Sequence, residues 1–135
     1  MTVRTGQELA PLTIPVTRTL VVAGALASRD FQDVHHDHEA ARAKGSPDIF
    51  LNILTTNGLV GRYVTDRLGH DAVLRRIAIR LGVPSHPGDE LVLTGRVTSV
   101  TAGADGATAE VAVVGTGRLG RHVSGTVTVS LPEAR

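Results

Sequence analysis

The second half of the chain alternates between aliphatic and polar or small residues, as half-buried β-strands do. Every second residue from Ile77 to Val83 is aliphatic, and three further strands are predicted over residues 91–100, 107–114 and 123–131. Residues typical of turns and loops separate these segments: Pro87-Gly88, Gly103 to Gly106 and Gly115 to Gly120. The pattern therefore predicts four consecutive antiparallel strands.

The first half predicts one strand followed by short helices. Residues 12–17 alternate in polarity, and Pro15 within them favours an edge or irregular strand. The small apolar run over residues 19–27 predicts a short helix. Residues 39–44 are good helix formers and predict another helix, which Gly45 ends.

A longer helix is predicted over residues 49–68, followed by Gly69. Ser46 is placed to cap its start, and Pro47 suits the first helical position. The apolar residues of this segment cover more than one narrow stripe, so we expect most of its surface to be buried. Curling an antiparallel sheet around one apolar helix is an economical way to bury it. The sequence thus predicts an α+β fold, with residues 1–135 forming a single hot-dog domain.

Composition narrows the classes of function. The 135 residues contain 2% aromatic residues, which argues against a nucleic-acid binder that stacks bases on aromatic side chains. The 14 Lys and Arg are spread along the chain and the net charge is +1, which predicts no particular polyanionic partner. The lack of cysteine excludes disulfides, thiolate metal sites and a cysteine nucleophile. No leader is recognisable and the apolar run over residues 20–26 is too short for a bilayer, so a cytoplasmic protein is expected.

Asp30 and His35 lie in a polar block, residues 28–38, that precedes a predicted helix. A carboxylate and an imidazole five residues apart can converge on one water molecule and exchange protons near neutral pH, as adding or removing water requires. A solvated loop explains the same residues equally well. A metal site is a third possibility, but only His36 and His38 would point the same way along an extended segment, and no metal is predicted. The remaining histidines are expected on the surface: His70, His86 and His122.

The block resembles the motif of R-specific enoyl-CoA hydratases of the MaoC-like, hydratase-2 family. That motif contains a catalytic Asp, a His five residues later and a small residue six after the His, which Asp30, His35 and Ala41 match. The resemblance covers about residues 12–132 and includes a Pro-Gly-Asp turn ahead of a Gly-Arg-Val run. Those segments are Pro87-Gly88-Asp89 and Gly95-Arg96-Val97.

The chain departs from the usual family pattern at three places, five residues in all. Arg29 stands where the family usually has Gly, and Gln32-Asp33 stand where it has Asn-Pro. Leu51-Asn52 replace a His-Gly pair whose Gly N–H is the family's oxyanion donor, so the resemblance assigns that role to the Asn52 backbone N–H.

The departures, together with residues 48–56, are similar to a narrower group within the family: the small MaoC-like subunits of heteromeric hydratases that act on steroid side-chain CoA thioesters in sterol-degrading bacteria. The resemblance implies syn hydration of a bulky enoyl-CoA by Asp30 and His35. It implies no cofactor, and a second MaoC-like hot-dog subunit or a homodimer as the assembly. Two alternatives stay open. One is an acyl-CoA thioesterase using Asp48 or Asp66, and the other is a non-catalytic scaffold subunit.

Overall fold

The computed structural model describes residues 2–132, in which one five-stranded antiparallel sheet packs around a central helix. The strand order is β1-β3-β4-β5-β2, so the last three strands in the chain form the middle of the sheet. The predicted α+β hot-dog fold is therefore confirmed. The elements are β1 (Glu8–Pro15), α1 (Arg18–Ala27), α2 (His38–Ala43), α3 (Ile53–Leu68), β2 (Val73–Leu81), β3 (Glu90–Gly103), β4 (Gly106–Gly117) and β5 (Gly120–Pro132), with a 3-10 turn at Asp33–His35.

The central helix α3 buries one face against an aliphatic core. Seven of its sixteen residues are buried, and the largest of them is Tyr63. The opposite face carries exposed residues at a spacing of four, so the buried surface is narrower than the apolar composition predicted. These exposed residues are Leu54, Gly58, Arg62 and Asp66.

The predicted start of the central helix was wrong. Ser46 is not the N-cap, because its hydroxyl donates to the Asp48 carbonyl at 2.6 Å. The segment that follows is held outside a helix by long-range bonds: Phe50 N donates to the Val34 carbonyl and Leu51 N to the Ser85 carbonyl. The N-cap is Asn52, whose side chain accepts from the backbone N–H of Thr55.

The strands run longer than predicted at their ends. β1 begins at Glu8 and ends at Pro15, so the expected strand over residues 12–17 was placed too far along the chain. As Pro15 indicated, β1 is an edge strand. The expected loop between Gly115 and Gly120 is instead a tight connection, because β4 continues to Gly117 and pairs there with Gly120.

The predicted turn at Pro87-Gly88 is present. Asp89 N donates to the His86 carbonyl, and Gly88 has a φ of +93°, as the third position of a type II turn requires.

Two histidines expected on the surface are buried. His122 is 2% exposed, and its Nδ1 lies 2.8 Å from the Val83 carbonyl while its Nε2 lies 2.8 Å from Thr56 Oγ1. Because a carbonyl only accepts, Nδ1 carries the hydrogen and Nε2 accepts from the threonine. Burial lowers the pKa of His122. His86 is also buried, with Nδ1 3.0 Å from the Ile49 carbonyl, whereas His70 is exposed as predicted. Within residues 2–132, no helix has the length and apolarity needed to cross a bilayer.

Candidate active site

Asp30 is positioned by the way α1 ends. Asp30 N donates to the Ala25 carbonyl and Arg29 N donates to the Leu26 carbonyl, the paired bonds of a Schellman motif. This motif needs a left-handed residue, and Arg29 has a φ of +57°. Glycine adopts that conformation without strain, so the glycine usual in the family at this position has a geometric reason. Here the chain forms the same turn with arginine.

His35 reaches the same point from the 3-10 turn. Its ring is buried, and Nδ1 lies 2.8 Å from the Phe50 carbonyl. Nδ1 therefore carries a hydrogen, since a carbonyl can only accept. The other nitrogen, Nε2, lies 3.4 Å from Asp30 Oδ2. The Phe50 ring packs against the imidazole in a T-shaped arrangement, with 4.9 Å between centroids, and restrains its plane.

This geometry is suited to holding and activating a water molecule. In neutral His35, Nε2 is an acceptor, and the Asp30 carboxylate beside it is also an acceptor. A water that donates one hydrogen to each satisfies both groups, and either can then accept a proton as the water oxygen attacks. Protonated His35 instead forms an ion pair with Asp30 and becomes a proton donor. The fold thus brings together Asp30 and His35, the two residues predicted to be catalytic.

Asn52 joins this pair through its side chain, which sequence reasoning missed. The residue is 1% exposed, and Nδ2 donates to Asp30 Oδ2 at 3.2 Å and to Ser28 Oγ at 2.9 Å. Its backbone N–H, for which an oxyanion role was expected, has no acceptor among the described residues 2–132. That N–H lies at the positive end of the α3 dipole. An asparagine directly before a helical run was the available signal, because it is a strong N-cap.

Asp48 fixes the extended segment that carries the Phe50 carbonyl. It accepts two bonds from the Arg18 guanidinium, at 3.0 and 2.8 Å, and one from His38 Nδ1 at 2.7 Å. It also accepts from its neighbour's backbone, Ile49 N, at 2.7 Å. The guanidinium is the main reason that the pKa of Asp48 lies well below its usual range. Asp48 therefore ties this segment to the first residues of α1 and α2. This positions the Phe50 carbonyl that faces His35 Nδ1.

The thioesterase candidates and the metal ligands are engaged elsewhere. Asp48 is held by a guanidinium, and exposed Asp66 lies 3.4 Å from Arg62 one turn away on α3. His36 Nε2 faces the Phe31 carbonyl at 3.2 Å, while His38 bonds to Asp48. In the described part of the chain, no three His, Asp or Glu side chains converge as a metal site would require. Ala41, the small residue of the motif, is fully buried in α2 and packs in the core.

Exposed apolar side chains lie on the segments that carry Asp30 and Asn52. Four large apolar side chains on these segments are at least half exposed. One of them, Leu26, also lines a groove of about 430 Å³ along α1. Exposed apolar residues that cluster mark ligand or protein contacts more often than ordinary surface. The four side chains are Leu26, Phe31, Ile53 and Leu54.

Comparisons with known proteins identify the family. The family model for the MaoC-like domain matches residues 2–130. The 3-oxo-4,17-pregnadiene-20-carboxyl-CoA hydratase beta subunit of Mycobacterium tuberculosis is 48% identical over 129 residues, covering 96% of this chain and 97% of that protein.

Solved structures give the same result. A chain in the ChsH1-ChsH2 complex from M. tuberculosis superimposes with a TM-score of 0.90 at 49% identity, covering 97% of this chain and 99% of that one. The (R)-hydratase from A. caviae involved in PHA biosynthesis has a TM-score of 0.86 at 22% identity, covering 97% and 98%, which supports the fold alone. By sequence and fold, the chain belongs to the MaoC-like domain family.

Proposed function

We propose that the protein hydrates the double bond of a trans-2-enoyl-CoA thioester to give a 3-hydroxyacyl-CoA. The observation that carries this proposal is the pairing of Asp30 Oδ2 with His35 Nε2 at 3.4 Å, with the other imidazole nitrogen committed to a backbone carbonyl. Hydration of a conjugated thioester needs a held water, a proton acceptor and a proton donor in one place. These two side chains can supply all three functions.

The reaction proceeds by syn addition of one water. The water oxygen bonds to the β-carbon as Asp30 or His35 takes one of its protons, and a proton is delivered to the α-carbon on the same face. Negative charge develops on the thioester oxygen between these events, and the backbone N–H of Asn52 at the start of α3 donates to it. Loss of one such donor typically lowers the rate by about 100- to 1,000-fold.

The substrate is a bulky polycyclic enoyl-CoA, and the working assembly contains a second MaoC-like subunit. Two findings support this: the 48% identical relative is a pregnadiene-carboxyl-CoA hydratase subunit, and the chain with a TM-score of 0.90 belongs to a two-protein complex. The exposed apolar side chains beside Asp30 and Asn52 also fit contact with an apolar acyl group or a partner chain. Residues 1–135 form one MaoC-like domain. The protein acts in the cytoplasm, where CoA thioesters are made and consumed.

A scaffold without activity is the alternative within the same assembly, and the Asp30/His35 pair speaks against it. A subunit that only supported an active partner would have no reason to keep a buried imidazole with one nitrogen fixed and the other aimed at a carboxylate. A thioesterase would need Asp48 or Asp66, and each is paired with an arginine.

The test is hydration of a panel of trans-2-enoyl-CoA thioesters, from four-carbon to steroid-sized, by the chain with and without a co-expressed MaoC-like partner. Loss of the conjugated enoyl absorbance measures the reaction. We expect Asp30→Asn and His35→Ala to lower kcat/KM by about 100- to 10,000-fold, because each removes a proton-transfer group. Failure of the assembled wild-type complex to hydrate any of these thioesters would refute the proposal.

A further inference from the structure

We propose that the Asn52 side chain, held by Ser28, is a positioning residue that orients the Asp30 carboxylate for hydration. This inference rests on the proposed function, because the orientation matters only if Asp30 handles the reacting water. It differs from the oxyanion role, which belongs to the backbone N–H of the same residue.

The hydrogen bonds around the Asn52 amide leave only one orientation for it. Oδ1 accepts from the backbone N–H of Thr55 at 3.3 Å and from the Thr55 hydroxyl. Nδ2 donates to Ser28 Oγ at 2.9 Å and to Asp30 Oδ2 at 3.2 Å. Turning the amide over would place a donor against the Thr55 N–H and an oxygen against the Asp30 carboxylate. Four partners therefore fix which end of the amide faces Asp30.

Ser28 completes the arrangement from the other side. Its hydroxyl donates to the Gly24 carbonyl at 2.7 Å, so its lone pairs are left to accept from Asn52. Ser28 is also the C-cap of α1, and Asn52 is the N-cap of α3. The Ser28–Asn52 bond thus joins the end of one helix to the start of another, directly beside Asp30.

The contact places Asp30 Oδ2 between two groups. His35 Nε2 lies 3.4 Å from this oxygen and Asn52 Nδ2 lies 3.2 Å from it, while Oδ1 lies 3.4 Å from Gln32 N. With Asn52 donating, Oδ2 is held toward His35 and the carboxylate cannot rotate freely. A misplacement of about 1 Å in such a group can lower the rate by about 100-fold.

Asn52→Asp separates the positioning role from helix capping. Aspartate caps a helix as well as asparagine does, so Oδ1 still accepts from Thr55. It replaces the Nδ2 donor with an oxygen, however, and an ionised carboxylate then faces Asp30. Two carboxylates this close repel each other, which favours protonation of one of them. Asn57→Asp is the matched control, because it makes the same chemical change on the same helix five residues away.

The experiment measures kcat, KM and the pH dependence of kcat/KM for the assembled enzyme with the thioester that the wild type hydrates best. For Asn52→Asp we expect kcat to fall by about 10- to 100-fold, KM to change by less than about threefold, and the acidic limb of the profile to move to higher pH. Asn57→Asp should stay within about twofold of the wild type. Asn52→Ser, which keeps a cap but cannot reach Asp30, should also lower kcat.

A second readout does not depend on turnover. At one pH, the NMR chemical shifts of the His35 ring should differ between Asn52→Asp and Asn57→Asp, because only the former adds a carboxylate beside the Asp30–His35 pair. An unchanged kcat, an unchanged pH profile and unchanged His35 chemical shifts in Asn52→Asp would overturn the positioning role while leaving wild-type hydration intact. A fall in rate with an unmoved profile and a parallel loss of thermal stability would also overturn it, because capping alone would then explain the residue.

Discussion

Gly24→Ala tests a close contact between α1 and α3, the helices whose ends carry Ser28 and Asn52. A Cβ on Gly24 would overlap the Thr55 side chain, coming within 2.7 Å of Cγ2, 3.0 Å of Cβ and still closer to Oγ1. Real Cβ atoms do not approach this closely, so one helix or the Thr55 rotamer must move. Overpacking of this kind typically costs about 1–3 kcal/mol. Replacing a glycine within a helix by alanine gains about 1 kcal/mol in helix propensity.

The two effects predict a net loss of up to about 2 kcal/mol in the free energy of unfolding. The loss should shrink when Thr55 is also changed to alanine, because that change removes the two atoms nearest the new Cβ. Thr55 Cβ remains 3.0 Å away, so the recovery is partial. Gly58→Ala is the matched control: a Cβ there meets nothing within 4 Å, and about 1 kcal/mol of stabilisation is expected.

Urea denaturation of the four proteins of this double-mutant cycle, and of the control, at one protein concentration measures these free energies. We expect Gly24→Ala and Gly58→Ala to have opposite signs in the wild-type background. We also expect kcat to fall in Gly24→Ala, because the Gly24 carbonyl accepts the Ser28 hydroxyl beside the site. If Gly24→Ala stabilised the protein as Gly58→Ala does, or had the same effect with and without Thr55, the reasoning about this helix contact would be wrong.

Two further predictions concern pH. Asp48→Asn should lower the free energy of unfolding by about 1–2 kcal/mol at pH 7, because it weakens the charge-assisted bonds to Arg18 and His38. Since the pKa of Asp48 is depressed in the folded protein, the wild-type advantage should be complete above pH about 5 and be lost as the pH falls below 3.8, the carboxyl's ordinary value. Urea denaturation from pH 7 to 2 that showed a constant difference in unfolding free energy between the two proteins would contradict this. His122→Gln should lower the free energy of unfolding by about 1–2 kcal/mol at pH 8 and make it less dependent on pH. Because burial lowers the pKa of His122 in the folded protein, the unfolded state is protonated first, and wild-type stability should fall as the pH drops below 6.5. Equal slopes of unfolding free energy against pH between pH 8 and 5 in the two proteins would refute this.

The sequence was sufficient for the elements that depend on local pattern. Period-two alternation predicted four strands in the second half, and the Pro87-Gly88 turn followed from the φ that glycine supplies. The resemblance around Asp30 and His35 predicted the family, which the family match and the 48% identical relative confirm. The roles of Asp30, His35 and the Asn52 N–H remain predictions that the variants above test.

The tertiary structure decided what depends on distant partners. Ser46 and Pro47 have the local chemistry of a helix start, but the N–H groups of Phe50 and Leu51 donate to distant carbonyls, which keeps these residues out of the helix. The N-cap is therefore Asn52. His86 and His122 each follow a polar residue in sequence, yet both are buried, because a carbonyl accepts from Nδ1 of each ring and Thr56 also bonds to Nε2 of His122.

The contact between the Asn52 side chain and Asp30 spans 22 residues, and no short-range pattern encodes it. The sequence pointed to Asp30 and His35 because their five-residue spacing resembles the motif of a known family. The groups that orient them, Asn52, Ser28 and the Phe50 carbonyl, come from segments that only folding brings together.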